Sequence, residues 1–229
     1  MATAERNLGP EAPGTVRGPE VGTTGRVGGP GMEAPERVLP PGSHLADPAP
    51  LGLAGFAMTT FFLSVVNAGL LPATVTAGVF GLAIFYGGIA QFAAGLWEFA
   101  KGNTFGAVAF CSYGAFWLSF WYLAGRTDLA AAGPSAVKAI AYYLLGWTIF
   151  TGYMMLASFR VSGAVAAVFV TLFVTFALLT IGAFTSASFW DKAGGIVGII
   201  TAVIAWYASF AAVFNFTAKR PAVPVWPRP

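Results

Sequence analysis

The sequence predicts an all-α integral membrane protein with six transmembrane helices per protomer, and two observations carry that reading. Between Pro48 and Ala218 only eight residues are charged: Glu98, Lys101, Arg126, Asp128, Lys138, Arg160, Asp191 and Lys192. A helix of ~20 apolar residues crosses the hydrocarbon core, and the stretches between these charges reach or exceed that length. Composition agrees: 57% of residues are hydrophobic and 9% charged, which places the chain in the polytopic membrane class, where length sets the number of spans.

The elements follow in order from charge breaks and turn signals. The uncharged run from Pro48 to Trp97 is too long for one helix, and Leu71-Pro72-Ala73-Thr74 divides it into span 1, about 49–70, and span 2, about 75–99. Gly102-Asn103 leads into span 3, about 104–124. Arg126-Thr127-Asp128 and Gly133-Pro134-Ser135 bound the next connection, before span 4 at about 136–158. Span 5 covers about 162–185 and span 6 about 193–216. At the start of span 1, Asp47 is expected as N-cap with Pro48 at the first helical position.

Three segments result: a tail over 1–46, a membrane domain over 47–218 and a short Pro-rich tail over 219–229. The first tail holds nine Gly and seven Pro and no continuous apolar run, so it is expected to be disordered and not a signal peptide. Lys and Arg near the span ends number six on the side of Arg37, Lys101, Arg160, Lys219, Arg220 and Arg228, against three on the side of Arg126, Lys138 and Lys192. By the positive-inside rule both termini of this cell-membrane protein are expected in the cytoplasm. Trp97, Tyr122 and Trp190 sit where an aromatic belt belongs.

Several classes of chemistry are excluded. Cys111 and His44 are the only residues of their kinds, which removes disulfide frameworks and Cys- or His-based metal sites. There is no phosphate-binding Gly-rich loop, no His-Glu-x-x-His, no Gly-x-Ser-x-Gly and no paired intramembrane carboxylate. The chain is therefore read as neither an enzyme nor an energised pump, with no cofactor and no nucleic-acid partner. At membrane depth the polar residues are uncharged: Thr59, Thr60, Ser64, Asn67, Tyr86, Gln91, Ser112, Tyr113, Ser119, Thr148, Thr151, Thr171 and Thr175. Such a lining suits a small polar solute, neutral or singly charged. Gln91 is the sharpest, because a buried amide must find partners, either in a neighbouring helix or in a solute. Asn67 reads as a cap or turn residue. Glu98 and Lys101 lie one turn apart at the exit of span 2 and read as a partly solvated interfacial pair. The glycines of span 2 and Gly194-Gly195-Ile196-Val197-Gly198 in span 6 allow close helix packing, first within a protomer and otherwise between subunits.

Several spaced motifs resemble the acetate uptake transporter family, the succinate–acetate permeases and their fungal relatives. Asp47-Pro48-Ala49-Pro50-Leu51-Gly52-Leu53 is similar to that family's Asn-Pro-Ala-Pro-Leu-Gly-Leu signature. Gly55 to Thr60, Phe85 to Gln91, Lys101 to Gly106 and Ser112 to Trp117 continue the match, which runs over roughly 47–216. The resemblance implies a six-helix protomer, a hexamer, and passage of acetate and related short carboxylates, succinate among them, through each protomer. It also implies a narrow constriction of Phe, Tyr and Leu, which fall on Phe56, Tyr113 and Leu172; Gln91, Thr59, Asn67 and Tyr86 are expected along the same path from their polarity at membrane depth. Transport is then passive or proton-linked. A different solute such as ammonia, or a sensor or scaffold role, is the alternative. Asp47 departs from the family's Asn, which puts in doubt any part for that side chain in holding an anion.

Overall fold

A computed structural model describes residues 44–133 and 135–228; the tail expected over 1–46 lies almost wholly outside the described residues. Six helices are long and apolar enough to cross a membrane: α1 (Ala49–Asn67), α2 (Ala73–Lys101), α3 (Thr104–Gly125), α4 (Ser135–Ser158), α5 (Gly163–Thr185) and α6 (Ser188–Thr217). The chain is thus a multi-pass membrane protein. Asp47, Lys101, Arg160 and the end of α6 share one end of the bundle, called here the terminal side.

Local chemistry sets the helix ends. α1 starts at Ala49, as its expected bounds have it, but the cap shifts by one: Pro48, not Asp47, takes the N-cap position and Pro50 lies in the first turn, where a missing N–H costs nothing. Asp47 still caps, since its Oδ1 accepts from the Ala49 amide at 3.2 Å. The helix ends at Asn67, short of the expected 70, because Gly69 turns left-handed at φ 76° and returns its amide to the Val66 carbonyl. Gly102, at φ 81°, closes α2 in the same way, and the Asn103 side chain then caps α3 by accepting from the Gly106 amide at 3.1 Å. Helix α6 begins at Ser188 instead of about 193. Asp191 and Lys192 therefore lie in its first turns, where an acidic group favours the positive helix end and a long lysine reaches back to the interface.

α2 is not uniform. A 3₁₀ stretch (Ala73–Gly78) and a short α segment (Val79–Ile84) precede a π-helical turn (Phe85–Ala90), after which Gln91–Lys101 is α-helical again. A π turn re-aims every side chain that follows it, and such turns concentrate at functional sites.

In sequence order α1 to α6 each pack on the next, and α6 returns to α1. Two kinds of seam close this ring. Where backbones nearly touch, glycine makes room: a Cβ on Gly195 would meet Ala68 and Asn67 backbone atoms, and one on Gly95 would lie 2.5 Å from the Cys111 nitrogen. Most of the small-residue stripe thus packs within the protomer, although nothing lies within 4 Å of a Cβ on Gly81. The α3–α4 seam is wider and is filled by rings, with Tyr113–Phe150 centroids 5.4 Å apart and Phe116–Trp147 at 5.1 Å. Such pairs contribute about 0.5–1.5 kcal/mol each beyond their area.

The expected C-terminal tail is a docked strap through Arg228. Asn215 Oδ1 accepts from the amides of Ala222 and Val223, and Tyr207 donates to the Pro224 carbonyl at 2.6 Å. The strap then supplies the start of α5. Gly163 and Ala164 donate to the Trp226 and Val225 carbonyls, while Ser162 accepts from Val165 and Ala166. The otherwise free amides of the first three helical residues, Gly163, Ala164 and Val165, are thus satisfied, and Ala166 makes the first intrahelical bond.

Candidate permeation path

Three cavities lie in series through the bundle, joined by shared wall residues. The terminal-side chamber, about 100 Å³, is walled by Ala49, Leu53 and Phe56 of α1, Gln91 and Glu98 of α2, Phe105, Gly106 and Tyr113 of α3, and Val165, Phe169 and Leu172 of α5. A middle cavity of about 40 Å³ shares Phe56 and Leu172 with it and adds Thr60, Ser64, Asn67, Phe116 and Thr175. The third chamber, about 440 Å³, shares Leu63, Asn67, Phe116, Phe176 and Leu179 with the middle one and opens toward Ser186, Ser188 and Asp191.

Phe56 and Leu172 therefore stand between the terminal-side chamber and the middle cavity, and Tyr113 lines the former beside them. The three come from α1, α3 and α5 and are 5%, 3% and 3% exposed. The Phe56 and Tyr113 rings lie 5.8 Å apart, and the Phe169 ring lies 6.1 Å from that of Tyr113. The Tyr113 hydroxyl is hydrogen-bonded to Thr151 of α4 at 2.9 Å, so its polar tip is held at the helix seam. At ~10–15 Å³ per water the middle cavity has room for only a few.

The other expected path residues divide. Gln91 is buried in the terminal-side chamber, first residue after the π turn, and its Oε1 has no hydrogen-bond partner. Asn67 ends α1, as a turn residue would, yet lines both other cavities. Thr59 and Tyr86 line none of the three. Thr59 donates to the Gly55 carbonyl at 2.9 Å and packs against Gly87, and the Tyr86 carbonyl lies against Gly55. Both belong to the α1–α2 seam.

The signature at the start of α1 resolves by position. Ala49 and Leu53 wall the terminal-side chamber, Gly52 lies against the Phe110 ring, and the Pro50 carbonyl accepts from Ser209 of α6 at 2.7 Å. Leu51 faces outward, and Asp47 and Pro48 shape the entry.

Glu98 corrects the expected interfacial pair. It is 0% exposed, whereas Lys101 turns away to Asp47 at 2.7 Å. Gly106 is the reason: with no side chain there, the Glu98 carboxyl fills the space where a Cβ would stand 2.8 Å from its Cδ. The Asn103 side-chain amide is its one hydrogen-bonding neighbour, at a geometry too poor to pair either carboxyl oxygen fully. The one-turn spacing of Glu98 and Lys101 pointed to a pair; Gly106, three residues after Asn103, was the signal against it.

The family model described as the GPR1/FUN34/yaaH family matches residues 31–229. "Ammonia transport outward protein 2" of Saccharomyces cerevisiae is 44% identical over 180 residues, covering 76% of this chain; the chain spans 63% of that protein's length. The "Succinate-acetate/proton symporter SatP" of Escherichia coli is 38% identical over 183 residues, 80% of this chain and 96% of that protein. A solved structure of the bacterial acetate channel SatP superimposes with a TM-score of 0.73 at 38% identity, covering 79% of this chain and 99% of that one. With a matched model over most of its length and a path built on the motifs that model spans, the chain belongs to the GPR1/FUN34/yaaH family.

Proposed function

We propose that this protein is a channel or permease for acetate and related short carboxylates, succinate among them, assembled as a homohexamer in which each protomer carries its own path. One observation carries the reading: Phe56 and Leu172 stand between two cavities, with Tyr113 against them, at the middle of a route that joins both ends of the bundle. The similarity to proteins named for acetate and succinate transport supports the substrate class. A ring of apolar groups opposes any solute that keeps its water, and a small carboxyl compound with an apolar methyl end is a fit permeant. Uptake of radiolabelled acetate into proteoliposomes across a pH series tests it; uptake equal to that of empty vesicles would end the proposal.

A second reading, ammonia or ammonium transport, has the name of the yeast relative behind it and one structural observation: the charged side chains on the cavity walls are Glu98 and Asp191, both acidic. Labelled methylammonium in the same vesicles separates the two.

The Lys and Arg count near the span ends supports a topology with both termini in the cytoplasm. With Cys111 replaced by Ser, cysteines at Thr127 and Arg220 should label from opposite faces, Thr127 from outside. Labelling of both from one face would reverse or break the topology.

Asp47→Asn should leave transport within about threefold of the parent, because Asn caps as well as Asp and the lost ion pair, with side chains 32% and 46% exposed, is solvated. Acetate affinity that rises in Asp47→Asn and falls back with added salt would instead make this entry an anion site.

A further inference from the structure

The terminal-side chamber contains a mismatch that packing does not explain. Two polar side chains, Gln91 and Glu98, are 1% and 0% exposed, and the Gln91 carbonyl oxygen and both Glu98 oxygens lack hydrogen-bond partners. They belong to the same helix seven residues apart, and both wall the same cavity of about 100 Å³, whose other walls are apolar except for Asn103 and the Tyr113 ring. Buried polar atoms are nearly always paired, and leaving three unpaired in one chamber is costly. All three are acceptors, so what lowers that cost is a ligand that brings a donor, one acceptor being paired for each O–H or N–H supplied.

The charges around the chamber restrict what the ligand is. On α1 the nearest is Asp47, and on α2 itself Lys101; these two neutralise each other at 2.7 Å. α3 offers only Tyr113, whose hydroxyl is committed to Thr151, and the α5 residues on the wall are Val165, Val168, Phe169 and Leu172. No Lys, Arg or His side chain lines the chamber among the described residues. A free carboxylate would meet Glu98 with nothing positive between them, whereas two carboxyl groups that hold one proton between them form a strong O–H···O⁻ bond.

We propose that Glu98 and Gln91 form a carboxyl-recognition subsite in which Glu98 and the permeant's carboxyl group share one proton, with the Gln91 Nε2–H donating to the permeant's second oxygen. This rests on the carboxylate-transport reading above. The protonated acid enters, its O–H is shared with a Glu98 oxygen, and the acid leaves toward Leu172 with that proton while Glu98 returns to its starting form. No other bond is made or broken. The permeant passes the apolar constriction as the neutral acid, which fits a ring with no group to stabilise an anion.

The test uses the full chain in proteoliposomes, with labelled acetate, a lumenal pH indicator and empty-vesicle subtraction. For the parent protein, uptake should rise at least about tenfold between about pH 8 and about pH 5, with lumenal acidification in step with label. Glu98→Gln keeps the size and can donate to a carboxylate but cannot share a proton, so its profile should flatten to within about twofold and its uptake should become sensitive to membrane potential. Gln91→Met should raise the acetate KM about tenfold while keeping the parent pH profile. If Glu98→Gln does not assemble, the Gln91→Met result decides, and an unchanged KM overturns the subsite. Acetate uptake by Glu98→Gln with the parent slope and acidification overturns the subsite alone. Methylammonium competition with acetate that disappears in Glu98→Gln marks a cation site and also overturns it. Absence of acetate uptake by the parent protein overturns the transport reading as well.

Discussion

Leu172→Ala should raise acetate flux about tenfold and admit a monocarboxylate two carbons longer, such as butyrate, at a rate the parent protein does not reach. Leu172 is 3% exposed and belongs to the walls of both the terminal-side chamber and the middle cavity. Removing its isobutyl end joins those two spaces, so a permeant crossing that point keeps more of its water or its last hydrogen bond for longer. A barrier lower by 1.4 kcal/mol is a factor of ten in rate, less than the ~2–7 kcal/mol that a bare polar group loses on entering an apolar site. Phe56→Ala should act in the same direction. Tyr113→Phe is the control: it removes only the bond to Thr151 at 2.9 Å and leaves the ring facing Phe56, so flux should stay within about threefold. A buried Leu→Ala change also costs about 2–5 kcal/mol of stability, so assembly has to be checked by size-exclusion chromatography before rates are compared. Parent-like rates and selectivity in assembled Leu172→Ala and Phe56→Ala would remove the constriction from these residues.

What the sequence made legible follows from what local chemistry controls. Spans are fixed by the cost of placing charge in hydrocarbon, a property of single residues, and so charge breaks, with the Leu71-Pro72-Ala73-Thr74 turn signal between the first two spans, locate six helices to within a few residues. Where the charge rule was applied at a helix start it misled: Asp191 and Lys192 were left outside α6, although an acidic residue in a first turn is favourable. The π turn before Gln91 has no local signature, since Phe85-Tyr86-Gly87-Gly88-Ile89-Ala90 reads as ordinary helix; it is set by how α2 fits against α1 and α3. Glu98 failed for a related reason. Spacing along a helix says which residues share a face, but only the tertiary neighbour Gly106 decides that this carboxyl is enclosed. Phe56, Tyr113 and Gln91, which stand in the matched motifs, line one chamber together with Leu172; position in a motif carries tertiary information that periodicity lacks. Thr59 and Tyr86 stand in the same motifs and serve the α1–α2 seam instead, since polarity at membrane depth does not distinguish a hydroxyl that bonds its own helix, as Thr59 does to Gly55, from one offered to a solute.

Gly195→Val should abolish stable assembly, whereas Gly81→Val should leave it intact. Both are helical glycines in an apolar span, and in both a valine side chain is compatible with the lipid environment, so composition gives no reason for a difference. The difference lies in what a side chain meets. At Gly195 a Cβ would stand 2.6 Å from the Asn67 carbonyl carbon and 2.7 Å from the Ala68 Cα, and those are backbone atoms at the end of α1 that no rotamer change can withdraw. At Gly81 it meets nothing within 4 Å. Relief at Gly195 requires α1 and α6 to separate, and in lipid little hydrophobic force resists that separation; close packing is what holds the pair. Overpacking costs about 1–3 kcal/mol in ordinary cores, where side chains can shift, so a backbone clash belongs at or above the upper end, about a hundredfold in the folding equilibrium. Gly198→Ala should fall between the two, because the atoms it meets are side-chain atoms: the Ser64 hydroxyl, which can rotate, with the Ser64 Cβ at 3.0 Å and the Thr175 methyl at 3.3 Å. Function follows the same seam, since Asn67 lines two of the three cavities and moves with the end of α1. The measurement is the recovery of monodisperse protein in detergent across a temperature ramp for the three variants. Equal recovery of Gly195→Val and Gly81→Val would mean that the α1–α6 seam is not set by the approach of these two backbones.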